Sequence, residues 1–203
     1  MRERIVVATA NPDKAAEIGD ALADASVELV ARPPDVPEVE ESGVTLEANA
    51  RLKAAALSAA TGLPALADDT GLEVDSLGGA PGVWSARYAG EQATYADNVE
   101  KLLFEMAAAK RNARTARFRT VLVLTWPDGR ELVVDGVAEG VIAEAARGAE
   151  GFGYDPVFVP AGGGGRTFAE MNRAEKSRLS HRGRALRALV TRLREAEPTD
   201  SEE

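Results

Sequence analysis

The alternation of strand and helix patterns in the first third of the chain constrains its fold more than any other feature. An apolar strand pattern, RIVVAT at 4–9, precedes Asn11 and Pro12, which together form an N-cap signal with proline in the first helical turn. A second strand pattern, VELVA at 27–31, precedes an alanine-rich helix over 45–62. Strands that alternate with helices are typical of α/β proteins, so we predict that class of fold.

The rest of the chain continues this mixture of elements. An antiparallel pair is the strongest local signal, because two strand patterns flank a Pro-Asp-Gly turn at 127–129. The last helix carries Leu186, Leu189, Val190 and Leu193 on one side. The other predicted elements are short strands at 64–69 and 72–77, a helix at 95–108, strands at 116–126 and 131–142, and a strand at 155–160.

The composition limits both the size of the fold and its chemistry. With 203 residues, of which 45% are hydrophobic, the chain can bury one substantial core, and we predict a single domain over 1–195. The acidic segment 196–203 is predicted to be a disordered tail. The absence of cysteine and the single histidine exclude disulfides, thiolate zinc sites and multi-histidine clusters. Any metal must be held by oxygen, which favours Mg²⁺ and permits Mn²⁺.

The charge of the chain is negative but unevenly distributed. A formal net charge of −9 argues against nucleic acid as a partner. Segment 35–50 carries five acids and no base, whereas 151–187 carries seven basic and three acidic residues. Such patches suit a metal beside a polyphosphate, although ordinary solvated faces explain them equally well. The N-terminus shows no secretory or membrane-spanning pattern, so we expect a cytoplasmic protein without a membrane partner.

The segment TANPDK at 9–14 places polar side chains on the turn between a strand and a helix N-terminus. The free N–H groups and the helix dipole favour an anion there, and Lys14 adds a full positive charge. Capping of the helix without any ligand is the simpler alternative. The segment lacks the glycine pattern of a Walker A loop, so it is not a P-loop.

Two adjacent carboxylates, Asp68 and Asp69, end an apolar strand pattern. Their like charges repel, so a fold that contains both requires a positive partner. With Glu41 they could supply hard oxygen ligands to Mg²⁺, and such a metal is our candidate for that partner. Aspartates that cap a solvated turn are the alternative. Neighbouring strand residues point to opposite faces, which rules out the Asp-x-Asp arrangement of haloacid dehalogenase phosphatases.

Two later segments carry features of a ligand site. In GFGYDPVFVP at 151–160, glycines flank Phe152, which allows its ring to stack on a flat ligand; a core phenylalanine is the alternative. In EKSRLSHRGRAL at 175–186, a basic cluster surrounds Ser180, a candidate N-cap of the last helix. This cluster can bind an anion or the edge of a base, or it forms a solvated basic face. Its members are Lys176, His181 and Arg182.

Five segments together resemble the inosine triphosphate pyrophosphatase family in identity and in order. They are TANPDK, ESGVTLEANARLKA, LADDTGLEVDSLGGAPGVWSARYAG, GFGYDPVFVP and EKSRLSHRGRAL, and the resemblance spans Val6 to about Leu189. The resemblance implies a mixed, elongated central sheet flanked by helices, in two lobes with the active site in the cleft between them. It also implies Mg²⁺-dependent hydrolysis of dITP, ITP and XTP to the monophosphate and pyrophosphate, by a homodimer that cleanses the nucleotide pool.

The resemblance also assigns roles to particular residues. It implies a phosphate loop formed by Thr9, Ala10, Asn11, Pro12, Asp13 and Lys14. Glu41 and Asp69 match metal ligands, and Asp69 is in addition the expected proton acceptor. Asp68 and Lys14 are expected to take part in catalysis. Further substrate contacts are expected from Lys53, Thr70, Phe152, Gly153, Tyr154, Asp155, Lys176, His181 and Arg182.

The chemistry that the resemblance implies is in-line attack of water on the α-phosphorus. Mg²⁺ on Glu41 and Asp69 would neutralise the developing charge, and Asp69 could orient or deprotonate the water. Arg182 is expected to donate to O6 of hypoxanthine or xanthine, an acceptor that adenine lacks. Two rival functions stay open: a nucleotide-sensing module without turnover, and a pyrophosphatase that prefers modified pyrimidines.

Overall fold

The computed structural model describes residues 3–9, 11–23, 25, 27–37, 39–110 and 113–196. The strands are β1 (Glu3–Val7), β2 (Val27–Ala31), β3 (Ala65–Val74), β4 (Pro81–Gly82), β5 (Thr115–Thr125), β6 (Glu131–Ile142) and β7 (Phe158–Pro160). The helices are α1 (Pro12–Leu22), α2 (Leu46–Thr61), α3 (Tyr95–Glu105), α4 (Arg173–Leu179) and α5 (His181–Ala196).

The seven strands form one mixed sheet in the order β2-β1-β3-β5-β6-β7, with β4 paired to β3. β1 runs parallel to β2 and to β3, whereas β3, β5, β6 and β7 pair antiparallel, each with the next. The Pro-Asp-Gly turn joins β5 to β6 as the sequence predicts. The mixed α/β class predicted from the sequence is confirmed.

Successive side chains of β5 point to opposite faces of the sheet. Both faces carry apolar side chains, and helices pack on both. Val121 and Val123 cluster with Ala50 and Ala54, whose small side chains let α2 approach closely. The other face of β5 carries two separate cores. One, at the α1 and α5 end, includes Ile18, Leu66, Leu122, Leu124, Leu186 and Leu189. The other, at the α3 and β7 end, includes Leu72, Leu102, Phe118, Phe158 and Phe168.

These two cores leave a polar gap in the middle of β3. On one face of that strand, Leu66 lies in the first core and Leu72 in the second. Asp68 and Thr70 lie between them on the same face, since side chains alternate along a strand. The fold therefore places carboxylate and hydroxyl groups where the two cores separate.

β3 is one continuous strand of ten residues, where the sequence analysis predicts two short strands at 64–69 and 72–77. Gly71 does not end the strand. A Cβ at Gly71 would lie 2.6 Å from the carbonyl oxygen of Gly82 in β4, so glycine is needed for the close approach of that strand. As a result Asp68 and Asp69 lie within a paired strand and not at its end.

Other boundaries differ by a few residues. α3 ends at Glu105 and β7 begins at Phe158, so both elements are shorter than predicted. The short helix α4 is absent from the sequence prediction, although its capping box, Asn172 with Glu175, is a usable signal. Ser180 caps the start of α5 as predicted, because its Oγ accepts from the N–H of Gly183 at 3.1 Å.

Two further predictions concern the ends of the chain. In α1, Ile18 and Leu22 are buried, whereas Ala15 is exposed. α5 continues to Ala196, and residues 197–203 of the predicted tail lie outside the described residues. None of the helices in the described part of the chain is both long and apolar enough to cross a bilayer.

Candidate active site

A cleft of about 1100 Å³ opens over the middle of β3. Its walls come from the turn after β1, the loop before α2, segment 83–87, the start of α3, the turn at 152–155 and the junction of α4 with α5. Elements from the whole length of the chain therefore meet at one polar site.

Asn11 organises the turn after β1 by capping α1. Its Oδ1 accepts from the backbone N–H groups of Asp13 at 2.9 Å and of Lys14 at 3.3 Å. The N–H of Asn11 donates to Oγ1 of Thr9 at 3.1 Å. The amides of Asn11 and Asp13 therefore have acceptors within the turn. The group of this turn that is best suited to bind an anion is the ammonium of Lys14.

Asp68 points to the side of β3 that carries α1 and α5. Its Oδ2 lies 3.0 Å from Nζ of Lys14 and 3.2 Å from Nη2 of Arg182. The same Nη2 donates to Oγ1 of Thr70 at 3.1 Å. Burial by itself would raise the pKa of Asp68, but Lys14 and Arg182 outweigh it and hold that pKa well below the usual value. Asp68 thus stays ionised and joins α1 to α5.

Asp69 points to the opposite face, toward α2. Its Oδ1 accepts from Nζ of Lys53 at 2.9 Å, and Nδ2 of Asn49 lies 3.4 Å from its Oδ2. Burial raises the pKa of Asp69, and Lys53 offsets only part of that effect. A carboxylate with a raised pKa is the better proton acceptor, so Asp69 suits a general base more than Asp68 does.

Lys53 also binds Glu41, which lies on the loop before α2. Its Nζ is 2.8 Å from Oε1 of Glu41. Burial alone would lower the pKa of Lys53, but the three carboxylates around it raise that pKa and keep the ammonium charged. Lys14 and Arg182 pair with Asp68 and Lys53 pairs with Asp69, because the two carboxylates face opposite sides of β3. The metal predicted as their positive partner stays a prediction.

Glu41 and Asp69 fit the metal-ligand role that the resemblance implies. Their oxygens converge on one point, since Nζ of Lys53 touches both carboxylates. Mg²⁺ commonly takes one or two carboxylates and fills its shell with water and phosphate oxygens. Within the described residues no group of three or more acidic or histidine side chains is placed to hold a metal. A divalent ion here would therefore depend on water and substrate for most of its ligands.

Phe152 presents its ring on the α4 and α5 side of the cleft. Nζ of Lys176 lies 4.5 Å and Cζ of Arg182 lies 5.6 Å from the ring centroid. The ring of Tyr95 lies 6.1 Å away, centroid to centroid. Two cations therefore lie over the ring and one further aromatic side chain lies near it, a setting suited to a flat ligand with acceptor atoms.

Asp155 fixes the turn that carries this ring. Its Oδ2 accepts from the N–H of Phe152 at 2.9 Å and lies 2.8 Å from Nζ of Lys176. Burial raises the pKa of Asp155, and Lys176 offsets part of it. A Cβ on Gly151, whose φ is +74°, would lie 2.1 Å from the same oxygen, so this position requires glycine.

Glu17 is a site residue that the sequence analysis missed. Its Oε1 lies 2.8 Å from Nζ of Lys176 and its Oε2 lies 2.5 Å from Nη1 of Arg182. Burial would raise the pKa of Glu17, but these two cations outweigh it and lower that pKa. The position of Glu17 three residues after Lys14, on one face of α1, is the signal that could have identified it.

His181 is buried at the start of α5. Its ring stacks on Phe118 with centroids 4.5 Å apart. Burial, with Arg182, Lys176 and Lys14 nearby, lowers the pKa of His181 far below its usual value, so the imidazole is neutral. Nδ1 of His181 and Nε of Arg182 are buried without a hydrogen-bond partner in the described part of the chain.

Most residues predicted for the site lie together in the cleft. Those that line it are Thr9, Asn11, Lys14, Glu41, Lys53, Asp68, Thr70, Phe152, Gly153, Tyr154, Asp155, Lys176, His181 and Arg182. Pro12 and Asp13 are exposed at the start of α1, and Asp69 lies behind Lys53. Ala10 lies outside the described residues. The hydroxyl of Tyr154 donates to the carbonyl oxygen of Ser85 at 3.0 Å, which ties two walls of the cleft together.

The chain is similar to known proteins over nearly its whole length. The model of the Ham1 family matches residues 5–192. The chain belongs to the Ham1 family. This Ham1-family chain is 50% identical over 192 residues to the dITP/XTP pyrophosphatase of Symbiobacterium thermophilum, with 95% of each chain covered. It is also 50% identical over 197 residues to the dITP/XTP pyrophosphatase of Thermus thermophilus, covering 96% of this chain and 94% of that one.

Solved structures of Ham1-family proteins share the fold. The HAM1 protein of Coxiella burnetii has a TM-score of 0.88 at 43% identity, over 96% of this chain and all 100% of that one. The nucleoside-triphosphatase / dITP/XTP pyrophosphatase of Mycobacterium abscessus has a TM-score of 0.75 at 44% identity, over 94% of this chain and 99% of that one. The family resemblance read from the five segments is thereby confirmed.

Proposed function

We propose that this Ham1-family chain hydrolyses dITP, ITP and XTP to the nucleoside monophosphate and pyrophosphate, and that the reaction requires Mg²⁺. Relatives 50% identical to it are named dITP/XTP pyrophosphatases. The observation that carries the proposal is the position of Asp68, which pairs with Lys14 on one side and with Arg182, beside Phe152, on the other. This arrangement allows a nucleotide to stack its base on the ring of Phe152 while cations on the other side of Asp68 bind its phosphates.

We call these two parts of the cleft the phosphate end and the base end. The phosphate end consists of Thr9, Asn11, Lys14, Glu41, Lys53 and Asp69. The base end consists of Glu17, Phe152, Asp155, Lys176, His181 and Arg182. Asp68 and Thr70 lie between the two ends.

At the phosphate end, Asp69 is suited to accept a proton from the water that attacks the α-phosphorus, because burial raises its pKa. The bond from the α-phosphorus to the bridging oxygen then breaks, and pyrophosphate leaves. Lys14 and Lys53 are placed to stabilise the phosphate charge in this step. Glu41 and Asp69 would hold Mg²⁺, which when bound neutralises charge on the phosphate oxygens.

At the base end, Phe152 would stack on the purine, and the cations beside its ring would donate to O6. Hypoxanthine and xanthine present that acceptor, whereas adenine presents an N6 donor toward groups that are themselves donors. Two donors that face each other in a buried site form no hydrogen bond, and leaving them unpaired costs free energy. We therefore expect adenine nucleotides to be rejected.

A panel of triphosphates tests the proposal. With Mg²⁺ we expect dITP and XTP to release pyrophosphate with kcat/KM about 100-fold or more above that of dATP and dCTP. A chelator should abolish release, and Mn²⁺ should restore part of it. Release of orthophosphate, or a preference for a pyrimidine, contradicts the proposal, and tight binding without turnover favours a sensing module. The homodimer and the cytoplasmic location stay predictions, which light scattering and cell fractionation would measure.

A further inference from the structure

We infer that Arg87, held over the ring of Trp84, binds the terminal phosphate of the substrate and so selects triphosphates over diphosphates. The inference rests on the proposed function, because it assigns a protein group to the pyrophosphate that leaves. Both residues line the cleft, and the sequence analysis gave a role to neither of them.

Arg87 belongs to the phosphate end by its contacts. Its Nη1 lies 3.6 Å from Oε2 of Glu41, and the other oxygen of that carboxylate binds Lys53. Its Nε lies 3.5 Å from Oε1 of Glu91. Arg87 is thus one carboxylate away from Lys53, which in turn binds Asp69.

The cations of the cleft form a row that Arg87 ends. Arg182, beside Phe152, shares Asp68 with Lys14, and Lys53 shares Glu41 with Arg87. Both pairs line the same cleft, although Asp68 and Asp69 point to opposite faces of β3. A nucleotide with its base on Phe152 and its α-phosphorus near Asp69 would extend its outer phosphates along this row. The terminal phosphate carries the highest negative charge, so it gains most from a guanidinium at the far end.

Arg87 has longer ion-pair contacts than the other cations of that row. Lys14, Lys53 and Arg182 each lie within 3.2 Å of a carboxylate oxygen. Both contacts of Arg87 are longer than a direct charge-assisted hydrogen bond, which is about 2.7–2.9 Å. Its side chain is 22% exposed. A phosphate can therefore bind the guanidinium with little loss of existing contacts.

The surrounding structure holds the guanidinium in place. Its Cζ lies 4.6 Å from the centroid of the Trp84 ring, which fixes its plane and leaves its N–H edges for two phosphate oxygens. Ser85 donates to the carbonyl of Gly82 at 2.6 Å, and Nδ2 of Asn98 donates to the carbonyl of Ala86 at 3.0 Å. These bonds anchor the backbone before Arg87, and a fixed donor binds its ligand more selectively than a mobile one.

Arg87→Gln tests the inference, with Arg130→Gln as a matched control. Arg130 also stacks on a tryptophan, with its Cζ 5.0 Å from the Trp126 ring, but lies on the turn between β5 and β6 outside the cleft lining. We expect kcat/KM for dITP to fall at least about 10-fold in Arg87→Gln, with the value for dIDP changed less than about 2-fold. The control should leave both values unchanged. An equal fall for dITP and dIDP would overturn the inference.

A binding measurement separates this inference from the proposed function. Calorimetry with inorganic tripolyphosphate should show an affinity about 10-fold weaker in Arg87→Gln than in the wild type and in Arg130→Gln. If the wild type fails to release pyrophosphate from dITP, the proposed function is wrong, yet this affinity difference still tests Arg87. Equal affinities in all three proteins would refute the role of Arg87 whatever the reaction.

Discussion

The base end and the phosphate end of the cleft use the same kinds of side chain but differ in how deeply these are buried. At the base end the side chains of Lys176 and Arg182 are 9% and 3% exposed, and each contacts two carboxylates. At the phosphate end Lys14 is 21% and Glu41 is 28% exposed. The base end is also built on helices and a tight turn, whereas Glu41 lies on a loop.

This difference indicates which end is fixed before a ligand binds. Buried charges need well-placed partners, because an unpaired charge out of water is strongly destabilising. The base end therefore keeps one geometry, which suits selection among bases. The phosphate end is partly solvated, so its ion pairs can open and exchange carboxylate for phosphate at a smaller loss of free energy. Selectivity is expected at the first end and chemistry at the second.

The largest effect is expected from Asp69→Asn at the phosphate end. We expect pyrophosphate release from dITP to fall about 1000-fold or more, because the amide keeps the shape but cannot accept a proton. Calorimetry should show that dITP still binds, since the base end is untouched. Asp135→Asn, an exposed aspartate on β6 paired with Arg119 at 3.4 Å, is the control and should release pyrophosphate normally. Near-normal turnover of Asp69→Asn would contradict its role as base.

Glu17→Gln tests whether the base end is rigid. The change removes the carboxylate shared by Lys176 and Arg182 and should lower the free energy of unfolding by about 3 kcal/mol, measured with urea. Asp20→Asn on the same helix breaks an exposed pair with Arg173 and should lower it by less than about 1 kcal/mol. Equal losses in the two variants would mean that the base end is no more fixed than the surface.

Phe152→Ala removes the ring on which we expect the base to stack. The affinity for dITP and for dATP should fall by about 1–3 kcal/mol, with kcat little changed. Phe104→Ala, whose ring is 80% exposed on α3, is the control and should bind both nucleotides normally. Unchanged affinity in a folded Phe152→Ala protein would make the ring part of the packing and remove the basis of the base end.

The smallest effect concerns pH and the neutral imidazole of His181. Because burial lowers its folded pKa, the unfolded chain binds a proton that the folded chain does not once the pH falls below the unfolded pKa of about 6.5. Stability should therefore decrease by about 1 kcal/mol between pH 7.5 and 5.5. Urea unfolding of the wild type and of His181→Asn at several pH values measures this decrease. The free energy of unfolding of the variant should depend less on pH than that of the wild type. Identical slopes would show that folding does not lower the pKa of His181.

Local signals in the sequence predicted most of the elements correctly. Asn11 and Thr45 cap α1 and α2 as expected, because a capping side chain bonds to amides two or three residues away. The β5–β6 pair was predictable for the same reason, since a tight turn sets its register. β3 was predicted as two short strands, and the need for glycine at Gly71 within it arises from a carbonyl of another strand, which no local pattern shows.

The candidate site shows the same difference between features set by local sequence and features set by distant residues. The five segments identified the family and fourteen of the residues that line the cleft, since each motif is short and contiguous. The partners of those residues were not predictable: Glu17 and Lys176 are 159 positions apart, and Glu17 and Arg182 are 165 apart. Arg87 likewise gains its place in the cleft only through its contacts with Glu41 and Trp84.

The sequence by itself determined which side chains this protein brings to its cleft, and it determined the class of fold that carries them. Tertiary structure alone decided how their charges are balanced. Asp68 and Asp69 show the reason: alternation along β3 sends them to opposite faces, and helices packed on those faces supply Lys14 with Arg182 to one and Lys53 to the other. Because burial and nearby charge set a pKa, the pKa values of two adjacent aspartates shift in opposite directions, lowered for Asp68 and raised for Asp69.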